Sequence, residues 1–206
     1  MIINPKNQTY QENYKLLIGS IVPRPIAFVS TISKNDVPNI APFSFFNGVC
    51  SNPPTVAFAP VRRSTDAQPK DTLINIRDTK EFVINIPSEP LVEKMVETAP
   101  EFAPDINEFD VAGLTQIPSQ LIAPPRLKEA KISFECTLNQ IIEIGDGTAG
   151  SGFLVLGTIV LFHIDDDLYE NGRISLEKLQ PMGRLAGNYY SRVNDIFEVV
   201  RKIKPE

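Results

Sequence analysis

Residues 131–139, Lys-Ile-Ser-Phe-Glu-Cys-Thr-Leu-Asn, alternate strictly: Ile132, Phe134, Cys136 and Leu138 are apolar, whereas Ser133, Glu135, Thr137 and Asn139 are polar. A period of two predicts a β-strand with one face on a core and the other on a wetter side. The phase breaks at Ile141 and Ile142, which predicts a bulge or a change of partner. A second long apolar run covers 153–165, and between the two lies Gly-Asp-Gly-Thr-Ala-Gly-Ser-Gly, 145–152, a hairpin loop. Its glycines imitate a phosphate loop, yet no Gly-Lys-Ser/Thr follows and the next segment is a strand.

Shorter β-branched and aromatic runs at 26–33, 55–61 and 81–86 are bounded by Pro, Asn, Asp or Lys and predict further strands. Helical spacing is confined to short pieces. Asp71 is the expected N-cap of a helix over 72–79 with Leu73 and Ile76 on one face. Ser88 is the expected cap of 89–99 with Leu91 and Met95, and Ser175 that of a turn using Leu176 and Leu179. Eighteen prolines against eleven glycines chop the chain into such pieces, which suits strands and turns. The Pro-rich stretch 97–128 is expected to be an excursion wrapped on the β structure, anchored by Phe102, Phe109, Val111 and Leu114. The tail 193–204 fits helix or strand equally. The sum is a single mainly β domain over 1–206, a barrel or sandwich with short helices.

A net charge of −5 and a pI near 5.1 argue against a nucleic-acid surface, because phosphate backbones are held by clustered Lys and Arg. No apolar run is long enough to span a bilayer, and with no basic, apolar and small-residue succession at its start the chain is not expected to carry a secretory signal. Cys50 and Cys136 are far apart and His163 is the only histidine, so neither a zinc site nor a Ser-His-Asp triad is expected. Both thiols are expected to be buried and reduced, as in a cytoplasmic protein. His163 is expected at a strand end, facing solvent or a dimer contact.

Three stretches could converge on one anionic, planar ligand. Arg24 lies between two prolines ahead of Ser30 and Thr31. In 41–49, Phe43, Phe45 and Phe46 interleave with Ser44 and Asn47, offering flat apolar faces beside hydrogen-bonding groups. In 62–76, a helix opening near Asp71 would present unpaired backbone N–H groups to an anion, with Arg62, Ser64 and Lys70 supplying contacts. The phenylalanines could equally be plain core, and the basic residues a solvated loop.

Read together, Val-Pro-Arg-Pro-Ile-Ala-Phe-Val-Ser-Thr (22–31), Ala-Pro-Phe-Ser-Phe-Phe-Asn-Gly-Val-Cys-Ser-Asn-Pro-Pro (41–54), the 70–86 stretch and the late 172–192 stretch resemble the flavin reductase-like family of FMN-binding split-barrel flavoproteins. The resemblance spans residues 15–192 and implies a six-stranded Greek-key split barrel that forms a homodimer and binds FMN. Carried over by position, Ser30, Thr31, Ala41, Pro42, Phe43 and Ser44 fall at the isoalloxazine and ribityl chain. Lys70, Asp71 and Thr72 fall at the phosphate, with Arg24, Arg62 and Ser64 around it. Tyr190 matches an aromatic position after the family's Arg-Leu-Gly-Gly signature, which here reads Arg184, Leu185, Ala186, Gly187. The implied chemistry is hydride transfer from NAD(P)H to flavin and electron delivery to an acceptor. An FMN electron carrier reduced by a partner protein, and a flavin-free binding module, are the alternatives. The cofactor supplies the redox chemistry, so no residue is singled out as catalytic.

Overall fold

The computed structural model describes residues 1–202; positions 203 and 204 of the tail lie outside them, and 193–202 form neither helix nor strand. Five strands come first: β1 (Ala27–Ile32), β2 (Pro38–Phe43), β3 (Phe46–Ser51), β4 (Pro54–Phe58) and β5 (Glu81–Asn85). The two-residue strands β6 (Gln116–Ile117) and β7 (Arg126–Leu127) pair with each other in the excursion. The long hairpin of β8 (Ile132–Ile144) and β9 (Gly152–Ile164) follows. Two small ribbons end the chain, β10 (Tyr169–Glu170) with β11 (Arg173–Ile174), and β12 (Met182–Arg184) with β13 (Tyr190–Arg192).

Seven of these strands, not six, form one antiparallel sheet in the order β2-β1-β5-β8-β9-β4-β3. The edge strands β2 and β3 are consecutive in the chain, with only Ser44 and Phe45 between them. The sheet must therefore curl until its edges meet at that link, which is how a twisted sheet approaches a barrel and leaves a seam. The break in alternation has its counterpart in a bulge two residues earlier, at Asn139. A second bulge lies on β9, where Val160 is left between the Leu161↔Glu135 and Ile159↔Cys136 pairs.

The curled interior is filled by Phe43, Phe58, Phe82, Phe153 and aliphatic neighbours. The ring centroids of Phe43 and Phe58 are 5.2 Å apart, and those of Phe58 and Phe82 are 5.6 Å apart. β1 buries both faces: Ala27 and Val29 point into this core, and Phe28 into a second one. That outer core contains Ile40, Met95, Phe109 and Leu127 and is covered by α3 (Val92–Glu97), α4 (Glu108–Val111) and the excursion. Phe109 and Leu114 anchor the excursion as expected, but Val111 is exposed. The excursion also covers the polar side of β8, so Ser133 and Glu135 are buried there rather than wet. His163, at the expected strand end, turns to Glu135 instead of solvent.

The helices depart from expectation at their caps. Helix α2 (Asp71–Thr79) begins one residue early: Lys70 is its N-cap, Asp71 its first helical residue, and no side chain caps it. Ser88 precedes a 3-10 turn, Glu89–Leu91, without capping it, whereas Ser175 caps α5 (Leu176–Leu179) through the Lys178 N–H. Helix α1 (Tyr10–Ser20) was not anticipated, although Thr9 and Glu12 form a capping box legible in the sequence. Cys136 is buried as expected; Cys50, on edge strand β3, is exposed. Among the described residues no helix is long and apolar enough to cross a membrane.

Candidate functional site

A cleft of about 270 Å³ opens where β2 runs into β3. Pro42, Phe43, Ser44 and Phe45 form its floor and one rim, Lys70 closes one end, and Tyr14, Arg184 and Tyr190 flank the other. A small recess continues past Lys70; Asn39, Ala41, Arg63, Asp71, Thr72, Glu101 and Glu108 are among the residues that line it. A wider groove near Glu89 and Arg192 has no aromatic lining, and its one cation is already paired with Glu89 at 2.5 Å.

Eight of the predicted residues thus converge: Ala41, Pro42, Phe43, Ser44, Lys70, Asp71, Thr72 and Tyr190. The other six do not line the cleft. Arg24 is 4% exposed, and its guanidinium donates to the carbonyls of Ile18, Ile21 and Leu185 and, at 3.3 Å, to Ser44 Oγ. It braces the site from behind, through Ser44 and the neighbouring carbonyls. Ser30 has no exposure; its hydroxyl donates to the Pro125 carbonyl at 2.6 Å and accepts from Asn85 Nδ2. Thr31 is likewise enclosed, bonded to Asn39 and Asn75 one layer behind the recess. Arg62 lies over the Phe153 ring, 4.8 Å from its centroid, and pairs with Glu143. Ser64 and Asn47 are exposed, and the Asn47 side chain accepts from the neighbouring Gly48 N–H.

The carboxylate of Asp71 neither caps α2 nor enters the recess freely, because Arg63 Nη2 holds both its oxygens at 2.8 and 2.9 Å. With Lys70 as N-cap there is no side-chain acceptor for the first N–H groups of α2, so the positive end of the helix faces the recess. Behind it stands a polar cluster that the sequence did not suggest. Buried Glu108 accepts from Asn39 Nδ2 at 2.7 Å and from the Ile40 N–H at 3.2 Å, and burial pushes its carboxyl above the ordinary range despite those bonds. That bond fixes the Asn39 amide, whose Oδ1 must accept from Thr72 Oγ1 at 2.8 Å and from Thr31 Oγ1 at 3.2 Å. Thr72 therefore offers the recess its backbone N–H, its hydroxyl proton being already engaged.

No Asp or Glu lines the cleft at the seam, whereas Asp71, Glu101 and Glu108 line the recess beyond Lys70, Asp71 being paired with Arg63. Among the described residues, Lys70, Arg184 and Arg24 have no carboxylate at ion-pair distance. Burial, partly offset by Tyr14 and reinforced by Arg184, holds the Arg24 guanidinium below its ordinary pKa. Tyr14 and Arg184 were missed as site residues. Arg184 stood in the quoted signature, but Tyr14 lies on the unanticipated helix α1 and carries no sequence signal.

The sequence profile of the flavin reductase like domain matches residues 18–190. The chain belongs to the flavin reductase-like family. Within it, the chain is 47% identical over 178 residues to an uncharacterized protein of Aquifex aeolicus, covering 86% of this chain and 88% of that one. Nitrilotriacetate monooxygenase component B from Bacillus cereus superposes with a TM-score of 0.92 at 42% identity, covering 97% of this chain and 98% of its own. The 2-nitrobenzoate 2-nitroreductase NbaA of Pseudomonas fluorescens gives 0.86 at 32% identity over 100% and 99% of the two chains. The split-barrel architecture expected from the resemblance is that of the family, and the seam between β2 and β3 is its local expression here. At Ala186, where the signature has glycine, the backbone avoids positive φ; the left-handed position of that turn is Gly187, at φ +58°.

Proposed function

We propose that this protein is an FMN-dependent oxidoreductase that takes hydride from NADH or NADPH and passes electrons to an acceptor, acting as a cytoplasmic homodimer. One observation carries the reading: in a protein of net charge −5, the aromatic cleft at the sheet seam has two cations and no carboxylate, and it leads to the uncapped start of α2, where Arg63 neutralises Asp71 and burial raises the Glu108 pKa. That donor set suits a planar ring bearing a phosphate. The two structural relatives, a monooxygenase component and a nitroreductase, support the same class. Exposed Leu16 and Leu17 on α1, with Phe197, Val199 and Val200 in the tail, offer apolar surface for a second copy.

When bound, FMN supplies the two-electron chemistry, and the chain's part is to hold and orient it. Lys70 and the first N–H groups of α2 take the phosphate, and Pro42 to Phe45 carry the ring. Ser44 Oγ accepts from Arg24 Nε, which leaves the Ser44 hydroxyl proton free to donate into the cleft.

The test is the visible spectrum of protein supplemented with FMN and desalted, before and after anaerobic NADH or NADPH. Retained flavin that bleaches is the expected result. Retained flavin indifferent to both nucleotides would favour a carrier reduced by a partner protein, and no flavin binding on titration would overturn the cofactor assignment.

A further inference from the structure

The cleft is polarised along β2. Its recess end carries Asn39, Ala41 and α2, whereas its seam end carries Ser44, Phe45, Tyr14 and Arg184, with Lys70 between. A strand advances about 3.3 Å per residue, so Ala41 and Ser44 are roughly 10 Å apart and the two ends serve different groups. Lys70 and α2 provide for a phosphate at the recess end. Arg184 is left over.

Its placement is firm. The backbone of Arg184 exchanges two hydrogen bonds with Arg24, at 2.8 and 3.0 Å, and the preceding Gly183 is pressed so close to Pro23 that an added Cβ would lie 2.6 Å from the Pro23 Cβ. The guanidinium carbon stands 4.5 Å from the Tyr190 ring centroid, and Nη1 donates to the Tyr189 carbonyl at 3.1 Å. Nε and Nη2 have no acceptor among the described residues. The other cation behind this end, Arg24, is bonded only to neutral oxygens. Two neighbouring guanidinium groups without a counter-ion, one of them buried, are unfavourable unless an anion joins them. Tyr14, 6.4 Å from Phe45 and tilted 65° to it, supplies a further aromatic wall beside the same opening.

We propose that Arg184, stacked on Tyr190 at the seam end of the cleft, is a specificity-determining residue that binds the negative group of the second reactant, a planar anion docking against the ring-bearing side of the site. The shared chemistry is a flat ring with a nearby phosphate or carboxylate, supplied either by a nicotinamide dinucleotide or by an aromatic acid. The inference rests on the flavin reading above.

The experiment compares the FMN-reconstituted parent with Arg184→Gln and Arg184→Lys. FMN affinity is measured by fluorescence quenching, bleaching rate against NADH and NADPH concentration, and benzoate binding by its perturbation of the flavin spectrum. Losing one charge-assisted contact should raise the half-saturating concentration of the second anion about 10- to 100-fold in Arg184→Gln, with partial recovery in Arg184→Lys. FMN affinity should move less than about threefold, since Arg184 is outside the phosphate end. A deficit confined to NADH and NADPH identifies the dinucleotide as the anion, and one confined to benzoate identifies the aromatic acid. Weakened FMN binding with unaltered second-reactant saturation would put Arg184 at the phosphate and overturn the inference. Unaltered saturation by every anion would reduce Arg184 to a brace for its own turn. A parent that binds FMN but neither class of anion also overturns it, whereas a parent that binds no FMN brings down the cofactor reading first.

Discussion

Nε2 of His163 lies 2.6 Å from Oε1 of Glu135, a carboxylate with no solvent exposure. The same carboxylate accepts from the N–H groups of Gln120 and Leu121, at 2.7 and 2.8 Å, and so pins the excursion to β8 and β9. Burial raises the Glu135 pKa, but the two amides and His163 outweigh it and hold the group below its usual 4.5. A depressed folded value means the stabilisation is complete above the unfolded value and is lost as pH falls through the folded one. Urea unfolding followed from pH 7 to pH 3 should show stability dropping on the acid side of the ordinary carboxylate range. Glu135→Gln should flatten that limb and cost about 3 kcal/mol at neutral pH by unpairing a buried contact. An acid limb identical to that of the parent would show that Glu135 is not its source.

Gly157 on β9 leaves room for the ring of Phe82: a Cβ there would lie 2.2 Å from Phe82 Cζ. Gly157→Ala should therefore destabilise by roughly 1–3 kcal/mol through overpacking. Adding Phe82→Leu should make the pair less costly than the sum of the two single changes, because the clash is removed with the ring tip. Strict additivity in chemical denaturation would rule out this contact as the cause.

The two thiols should separate cleanly. Cys50 is exposed, while Cys136 is buried with its pKa driven far upward by burial and then by Glu135. A chromogenic disulfide reagent should titrate one thiol in native protein and a second only after denaturation. Cys50→Ser should abolish the native reaction.

Lys70→Ala should lower FMN affinity about tenfold by removing one charge-assisted contact. The melting temperature should hold, because Lys70 has no carboxylate partner among the described residues. Undiminished affinity in a folded variant would remove Lys70 from the phosphate end.

The sequence reveals much of the sheet because strand signals are local. The alternation at 132–138 and the β-branched runs at 26–33 and 81–86 each coincide with a strand. It also points to the 41–44 and 70–72 segments that converge on the cleft. Side-chain assignment at the site is less legible because it depends on which face another element covers. Ser30 and Thr31 look available in a list of residues, yet Pro125, Asn85, Asn39 and Asn75 engage their hydroxyls from distant parts of the chain. Arg24 looks like an anion ligand until the carbonyls of α1 and of Leu185 are brought to it. The Asp71 cap failed for a similar reason: its preferred partner, Arg63, is eight residues earlier but reaches it only through the loop's fold. Glu108 carries no local signal, since its acceptors are used by Asn39 and Ile40 across the outer core.

The short link between β2 and β3 also has a kinetic meaning. The hairpins β1–β2 and β3–β4 can form from neighbouring residues, so nearly all the cleft floor lies in one early stretch of chain. Yet β4 is completed by β9, with Thr55 opposite Thr158, a partner roughly a hundred residues later. The walls contributed by Arg184 and Tyr190 arrive later still. A nascent chain thus carries most of the site's floor long before it can make the site, and the power to bind appears only when the last third of the sequence has come home.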